Sequence, residues 1–247
     1  MGRATTRKLG AKIVAHSPSQ NQLQYKMHGL PAVFLLSAHM PGRMVTELNC
    51  YLDKLLQSKD KSSNAGKLVG QISHGEQLVM DRDDPDLRNF RNLVEVLGSE
   101  YIKQFSSSVN CNLGKRRVEM DSLWSVHSFE RDYNPLHDHL TKTLMGISFA
   151  AWTKIPEQID PLKNTSQEAR TMANSSGVTD GAISFHYGNC SSRDTELLRH
   201  PQTNLVNPHP GLLMMFPSWL QHVVYPFEGK GERRTIAGNM NVFTMMD

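Results

Sequence analysis

Short apolar runs separated by turn residues fill the second half of the chain, and they restrict its fold more than any other feature. They lie at Val118–Glu130, Leu144–Trp152, Ala182–Tyr187, Leu212–Phe216, His222–Phe227 and Arg233–Phe243. Many short strands of this kind predict a sandwich or barrel and argue against alternating parallel β-α units. The first half adds a strand-like run at 29–37 and two amphipathic helices. Met44, Leu48, Tyr51, Leu52, Leu55 and Leu56 repeat at helical spacing over 44–58. Asp86–Phe105 carries a second stripe of Leu87, Phe90, Leu93, Val94, Leu97, Tyr101, Ile102 and Phe105, with Pro85 where a helix start tolerates it. A further strand is expected within 68–78. Both helices are expected to cover the outside of a sheet, and the polar intervals 163–181 and 188–210 read as loops bordering an entrance.

Composition sets the outer bounds. At 247 residues, 38% hydrophobic and 21% charged, the chain is globular and long enough for one sizeable core. Its formal net charge of +3 is too small to indicate nucleic acid. Cys50, Cys111 and Cys190 are odd in number and far apart, which excludes a disulfide framework and points to a reducing, cytoplasmic compartment. No run approaches the roughly 18 apolar residues of a membrane helix. Residues 1–28 read as a basic N-terminal tail, in which Gly2 and Thr6 match a short myristoylation pattern that arises often by chance. Residues 29–247 read as one domain with helical support at 44–105.

Two stretches carry chemistry. In Tyr133-Asn134-Pro135-Leu136-His137-Asp138-His139, strand alternation sends His137 and His139 to one side and Asp138 to the other. Two imidazoles converging at the mouth of a strand suit a metal ion, and a catalytic site usually takes a third protein ligand. His222, in Phe216-Pro217-Ser218-Trp219-Leu220-Gln221-His222, is the candidate. After the turn 228–232, Arg233 and Thr235 share a face of the returning strand, a cation and a hydroxyl suited to a carboxylate. Metal beside carboxylate site points to a chelating keto-acid cosubstrate. A bulge would instead turn Asp138 inward in place of His139.

From Tyr133 to Val242 the chain resembles the Fe(II)/2-oxoglutarate-dependent oxygenases, and more narrowly those of tailed (cyano)phages. The resemblance rests on YNPLHDH, on GAISFHYG at 181–188 and on GLLMMFPSWLQHVVYPFEGKGERRTIA at 211–237. It implies a mainly β fold with flanking helices around a double-stranded β-helix (jelly-roll, cupin-like) core. It also implies Fe(II) as cofactor, 2-oxoglutarate as cosubstrate, and hydroxylation of a C–H bond in an unidentified protein side chain or small molecule, prolyl hydroxylation included. His137, His222, Arg233 and Thr235 fill the slots of the wider superfamily. His139 stands where a carboxylate is usual, and the narrower group often shows His-x-His, so the resemblance implies His137, His139 and His222 as the ligands, with Asp138 as the alternative to His139.

Two other readings stay open. One is a three-His, cupin-type metal dioxygenase that does not use 2-oxoglutarate, and the other is a non-catalytic phage module on the same fold. Isolated histidines beside apolar runs are usually hydrogen-bonded core or surface groups, which is the reading for His74, His127, His186, His200 and His209. Trp219 and Phe216 read as core. Oligomeric state is not legible.

Overall fold

The computed structural model describes residues 24–29, 33–163, 180–188, 196 and 202–245. Most of the tail, including Gly2 and Thr6, and most of the two polar intervals, with His200 and Cys190, lie outside the described residues.

Among the described residues, eleven strands and two α-helices follow in chain order: β1 Tyr25–Gly29, β2 Phe34–His39, α1 Gly42–Gln57, β3 Glu76–Val79, α2 Arg88–Ser108, β4 Arg116–Ser128, β5 Asn134–His137, β6 Gly146–Lys154, β7 Ile183–His186, β8 Thr203–Val206, β9 Leu212–Pro217, β10 Gln221–Val224 and β11 Arg233–Thr244. They form a seven-stranded sheet, ordered β1-β2-β9-β6-β11-β4-β3, and a four-stranded sheet, ordered β5-β10-β7-β8. Every strand pairing is antiparallel. From β4 onward the chain passes back and forth between the sheets, with β4, β6, β9 and β11 in the large one and β5, β7, β8 and β10 in the small one. This is the double-stranded β-helix.

The apolar residues sort into two layers. Leu48 and Leu52 of α1 and Phe90, Val94 and Leu97 of α2 pack with Leu36, Phe149, Met215, Ile236 and Met240 from the large sheet, so both helices cover its outer face as their stripes predict. Between the sheets lie Leu35, Trp152, Phe185, Phe216 and Phe227. Alternation lets one strand serve both layers: on β2, Leu36 faces the helices while Leu35 faces the small sheet.

Four expectations are corrected. Residues 25–28, read as tail, belong to the edge strand β1, which is hydrogen-bonded to β2. Leu144 and Met145 precede β6 and are exposed. The interval 188–210 contains a strand, β8, on the edge of the small sheet. Trp219 is 57% exposed because it sits in the tight turn between β9 and β10, where no partner layer covers it.

The turn into β11 uses Gly229 and Gly231, at φ +95° and +120°, conformations that side-chain-bearing residues rarely adopt. It delivers Glu232 into a buried ion cluster. Arg234 Nε and Nη2 donate to its two carboxylate oxygens at 2.8 and 2.9 Å, Lys154 Nζ donates at 3.0 Å, and His127 Nδ1 lies at 2.7 Å. Arg234 also reaches Asp53 of α1 at 2.8 Å, tying helix to strand. Burial pushes the Glu232 carboxyl up, but the hydrogen bonds from His127, Arg234 and Lys154 outweigh it and hold the group well below the usual 4.5. Because the folded-state value lies below the unfolded one, the stabilisation is complete above the unfolded value and is lost as pH falls toward the folded one. Urea unfolding of wild type and Glu232→Gln should therefore show a large stability gap at neutral pH that narrows steadily once the pH drops below about 4.5.

Candidate metal centre

The small sheet brings the histidines together. β5 and β10 pair so that His137 stands opposite His222, and the register shifts between His222 and Val224. Just past the end of β5, His139 donates its backbone N–H to Ser218 O at 2.9 Å, while Ser218 N–H bonds to Gly146 O. One ring nitrogen from each of His137, His139 and His222 lies within 4.8 Å of the others. Ring centroids are 4.2 Å apart for His137 and His222, 5.0 Å for His139 and His222, and 5.3 Å for His137 and His139. Asp138 is exposed and outside this cluster, as strand parity predicts. The geometry therefore favours His139 over the alternative at 138.

One nitrogen of each ring, Nδ1, is occupied by an oxygen acceptor. His137 Nδ1 faces Pro135 O at 2.6 Å, and His222 Nδ1 faces Leu220 O at 3.0 Å. A carbonyl oxygen only accepts, so both Nδ1 atoms carry the proton and both Nε2 atoms keep a lone pair. His139 Nδ1 lies 2.8 Å from Asn239 Oδ1, giving the same tautomer. Ligating histidines characteristically use the second ring nitrogen in this way.

Electrostatics agree. Burial pushes the His139 imidazole down to about 4, with the neighbouring His137 pushing the same way and Asn239 and Asp138 only partly opposing. Burial likewise lowers His222 far and His137 less. All three rings are thereby kept in the neutral form that binds a metal ion.

The cavity beside the cluster also contains Arg233, Thr235, Ser128 and Asn134, walled by Trp124, Val126, Trp152 and Phe216. Arg233 is 1% exposed. Its Nη1 donates to Gly181 O at 3.1 Å and Tyr225 O at 2.9 Å, and its Nη2 donates to Ser128 Oγ at 3.3 Å. Its Nε has no partner among the described residues. Burial lowers the guanidinium to about 10, with only Asp132 countering, so this is a buried cation without an ion-pair partner among the described residues. Such a charge is costly until an anion joins it. Arg234 points to the opposite face and is consumed by Glu232 and Asp53, so of the two arginines Arg233 is the one that lines the cavity.

Beyond the histidines the cavity widens into a groove lined by Leu68, Val69, Trp124, Asp138, Leu140 and Asn239. Other polar groups of the chain lie away from the cluster, the two histidines among them as expected. His127 belongs to the Glu232 cluster, His74 is exposed near Asp132, and Lys142 pairs with Asp121 at 2.6 Å. Sequence reasoning missed Asn239, although it sits six residues after Arg233 and therefore on the same strand face. It also missed Ser128 and Asn134 in the cavity wall.

Residues 122–239 match the family described as "Putative 2OG-Fe(II) oxygenase". The match spans just under half of the chain and supports a 2-oxoglutarate-dependent oxidoreductase with Fe(II) as cofactor. No curated protein sequence matches it. Among solved structures, a prolyl-4-hydroxylase from Pseudomonas putida is similar at 11% identity and TM-score 0.52, over 89% of this chain and 91% of that one. HygX from Streptomyces hygroscopicus, crystallised with nickel and 2-oxoglutarate, is similar at 10% identity and TM-score 0.51, over 84% and 82%. The non-heme alpha ketoglutarate dependent carbocyclase SnoK from nogalamycin biosynthesis is similar at 11% identity and TM-score 0.50, over 83% and 78%. At these identities the structures speak for the fold alone. The donor set of three neutral imidazoles fits a divalent transition metal. Titration of purified protein with Co(II), followed by its visible d–d absorption, should show one tight site that is lost or much weakened in His137→Ala, His139→Ala and His222→Ala. His127→Ala, buried but outside the cluster, should retain it.

Proposed function

We propose that the chain hydroxylates a C–H bond of its substrate, with Fe(II) held by His137, His139 and His222 and the distal carboxylate of 2-oxoglutarate held by Arg233 and Thr235. One observation carries this reading: three imidazoles with free Nε2 atoms and a buried guanidinium with an unpartnered Nε line the same cavity. A keto acid that chelates a metal at one end and carries a carboxylate at the other matches both halves. When bound, Fe(II) and 2-oxoglutarate supply the oxidising chemistry, in which O2 and the keto acid are consumed to give CO2 and succinate while one oxygen atom goes to the substrate. The chain supplies orientation. Arg233, fixed by two carbonyls and Ser128, offers a charged donor of set direction, and Thr235 adds a hydroxyl on the same face. Trp124, Val126, Trp152 and Phe216 keep the cavity apolar, which strengthens each polar contact within it.

The substrate would enter through the groove outside Trp124 and Leu140, which suits a protein side chain, proline included, or a small molecule. No helix among the described residues is long and apolar enough to cross a membrane. Exposed, unpaired Cys50 and Cys111 support a reducing cytoplasm, that of the host if the source is a phage as the sequence motifs suggest. A second reading, a three-His dioxygenase independent of 2-oxoglutarate, is favoured by the lack of a carboxylate in the cluster but leaves Arg233 without a purpose.

Anaerobic titration of the Fe(II)-loaded protein with 2-oxoglutarate separates the two. The proposal expects the weak visible band of a metal-chelated keto acid, together with slow succinate release once oxygen is admitted. Arg233→Met should weaken 2-oxoglutarate binding by roughly 10- to 150-fold, the equivalent of ~1.5–3 kcal/mol for a charge-assisted hydrogen bond. Arg234→Met should reduce stability and leave that affinity unchanged. Fe(II) binding with no band in the wild type would favour the second reading.

A further inference from the structure

The three histidines are not held alike. His137 and His222 present Nδ1 to backbone carbonyls, which can only accept, so nothing else in the chain has to choose their tautomer. His139 presents Nδ1 to the side chain of Asn239, whose amide has an accepting end and a donating end. With Oδ1 toward the ring, Nδ1 is protonated and Nε2 is free for a metal. With Nδ2 toward the ring, Nδ1 would accept, the proton would move to Nε2, and the third lone pair would be lost. In the structure Oδ1 faces the ring at 2.8 Å, and the fully buried Ser148 Oγ donates to the same oxygen at 2.8 Å.

Resting on the metal-site reading above, we propose that Asn239, held in place by Ser148, is a positioning residue that makes His139 the third ligand. The placement of Asn239 supports this. It lies on β11 opposite Ser148 of β6, at the point where the register of β11 against β4 shifts, and bulges of this kind re-aim side chains. Two residues further, Asn241 Oδ1 accepts from Lys142 N at 2.9 Å, and Thr143 Oγ1 accepts from Val242 N at 2.9 Å. β11 thus grips the segment following His139 by the Lys142 backbone and the Thr143 hydroxyl, and His139 itself by its ring. His139 lies just beyond the end of β5 and lacks the strand pairing that fixes His137 and His222, so its ring depends most on a side-chain partner.

The test compares Co(II) affinity, read by visible absorption, in wild type, Asn239→Ala, Asn239→Asp and Ser148→Ala, with thermal unfolding of each metal-free protein alongside. Losing an outer partner of a ligating histidine typically weakens metal binding about 10- to 100-fold, which is the expectation for Asn239→Ala. Asn239→Asp can only accept at this position and should bind Co(II) at least as tightly as wild type. Ser148→Ala should fall between the two. Combining Asn239→Ala with His139→Ala should cost no more affinity than His139→Ala alone. Wild-type affinity in Asn239→Ala, or Asn239→Asp as weak as Asn239→Ala with unfolding unchanged, overturns the assignment while leaving the metal site standing. Absence of a Co(II) site in wild type overturns the metal reading itself, and this inference with it.

Discussion

The pleat of β11 is the constraint on which the rest depends. It is the only strand among those described that pairs along its length with both β4 and β6, so its side chains are aimed by two ladders. Its inner face presents Arg233, Thr235, Ala237, Asn239 and Asn241 in sequence. The outer face presents Arg234, Ile236 and Met240 to the helices. A slip of one residue would exchange the faces, burying Arg234 in the cavity and turning Arg233 toward α1. The Glu232–Arg234–Lys154–His127 cluster makes such a slip expensive, because it would strand a buried carboxylate. A polar network remote from the cavity thereby fixes the register of the residues inside it.

Charge distribution within the cavity follows from the same face. Three neutral imidazoles bring no negative charge, and the nearest carboxylate in sequence, Asp138, faces outward. Arg233 adds a positive charge met by two carbonyls, a hydroxyl and the face of the Phe227 ring, none of them an anion. The cavity is therefore prepared for anions at both ends. A centre with a carboxylate among its ligands would be less so.

Much of this was legible because it follows periodicity two. Alternation put His137 and His139 on one side and Asp138 on the other, and sent Arg233 and Arg234 to opposite faces. The helical stripes predicted α1 and α2 and the sheet face they cover. What escaped was decided by distant partners. β1 and β8 are short edge strands whose sequences lack a strong apolar pattern, and they become strands because β2 and β7 offer them a ladder. Trp219 looks like core by composition but is placed by the three-residue connection between β9 and β10. Asn239 was readable from its parity with Arg233, yet its meaning depends on a ring contributed from 100 positions earlier.

The pairing of His137 with His222 has a consequence for the chain as a polymer. The two rings come from adjacent antiparallel strands far apart in sequence, and most of the long polar intervals lie between them. An ion gripped by both closes that intervening span into a ring, as a covalent cross-link would, but one that a chelator can open. Loop-closure entropy then works in favour of the loaded protein. Such a reversible clasp would make the small sheet, whose strands are all four residues long, slower to fray when occupied than when empty.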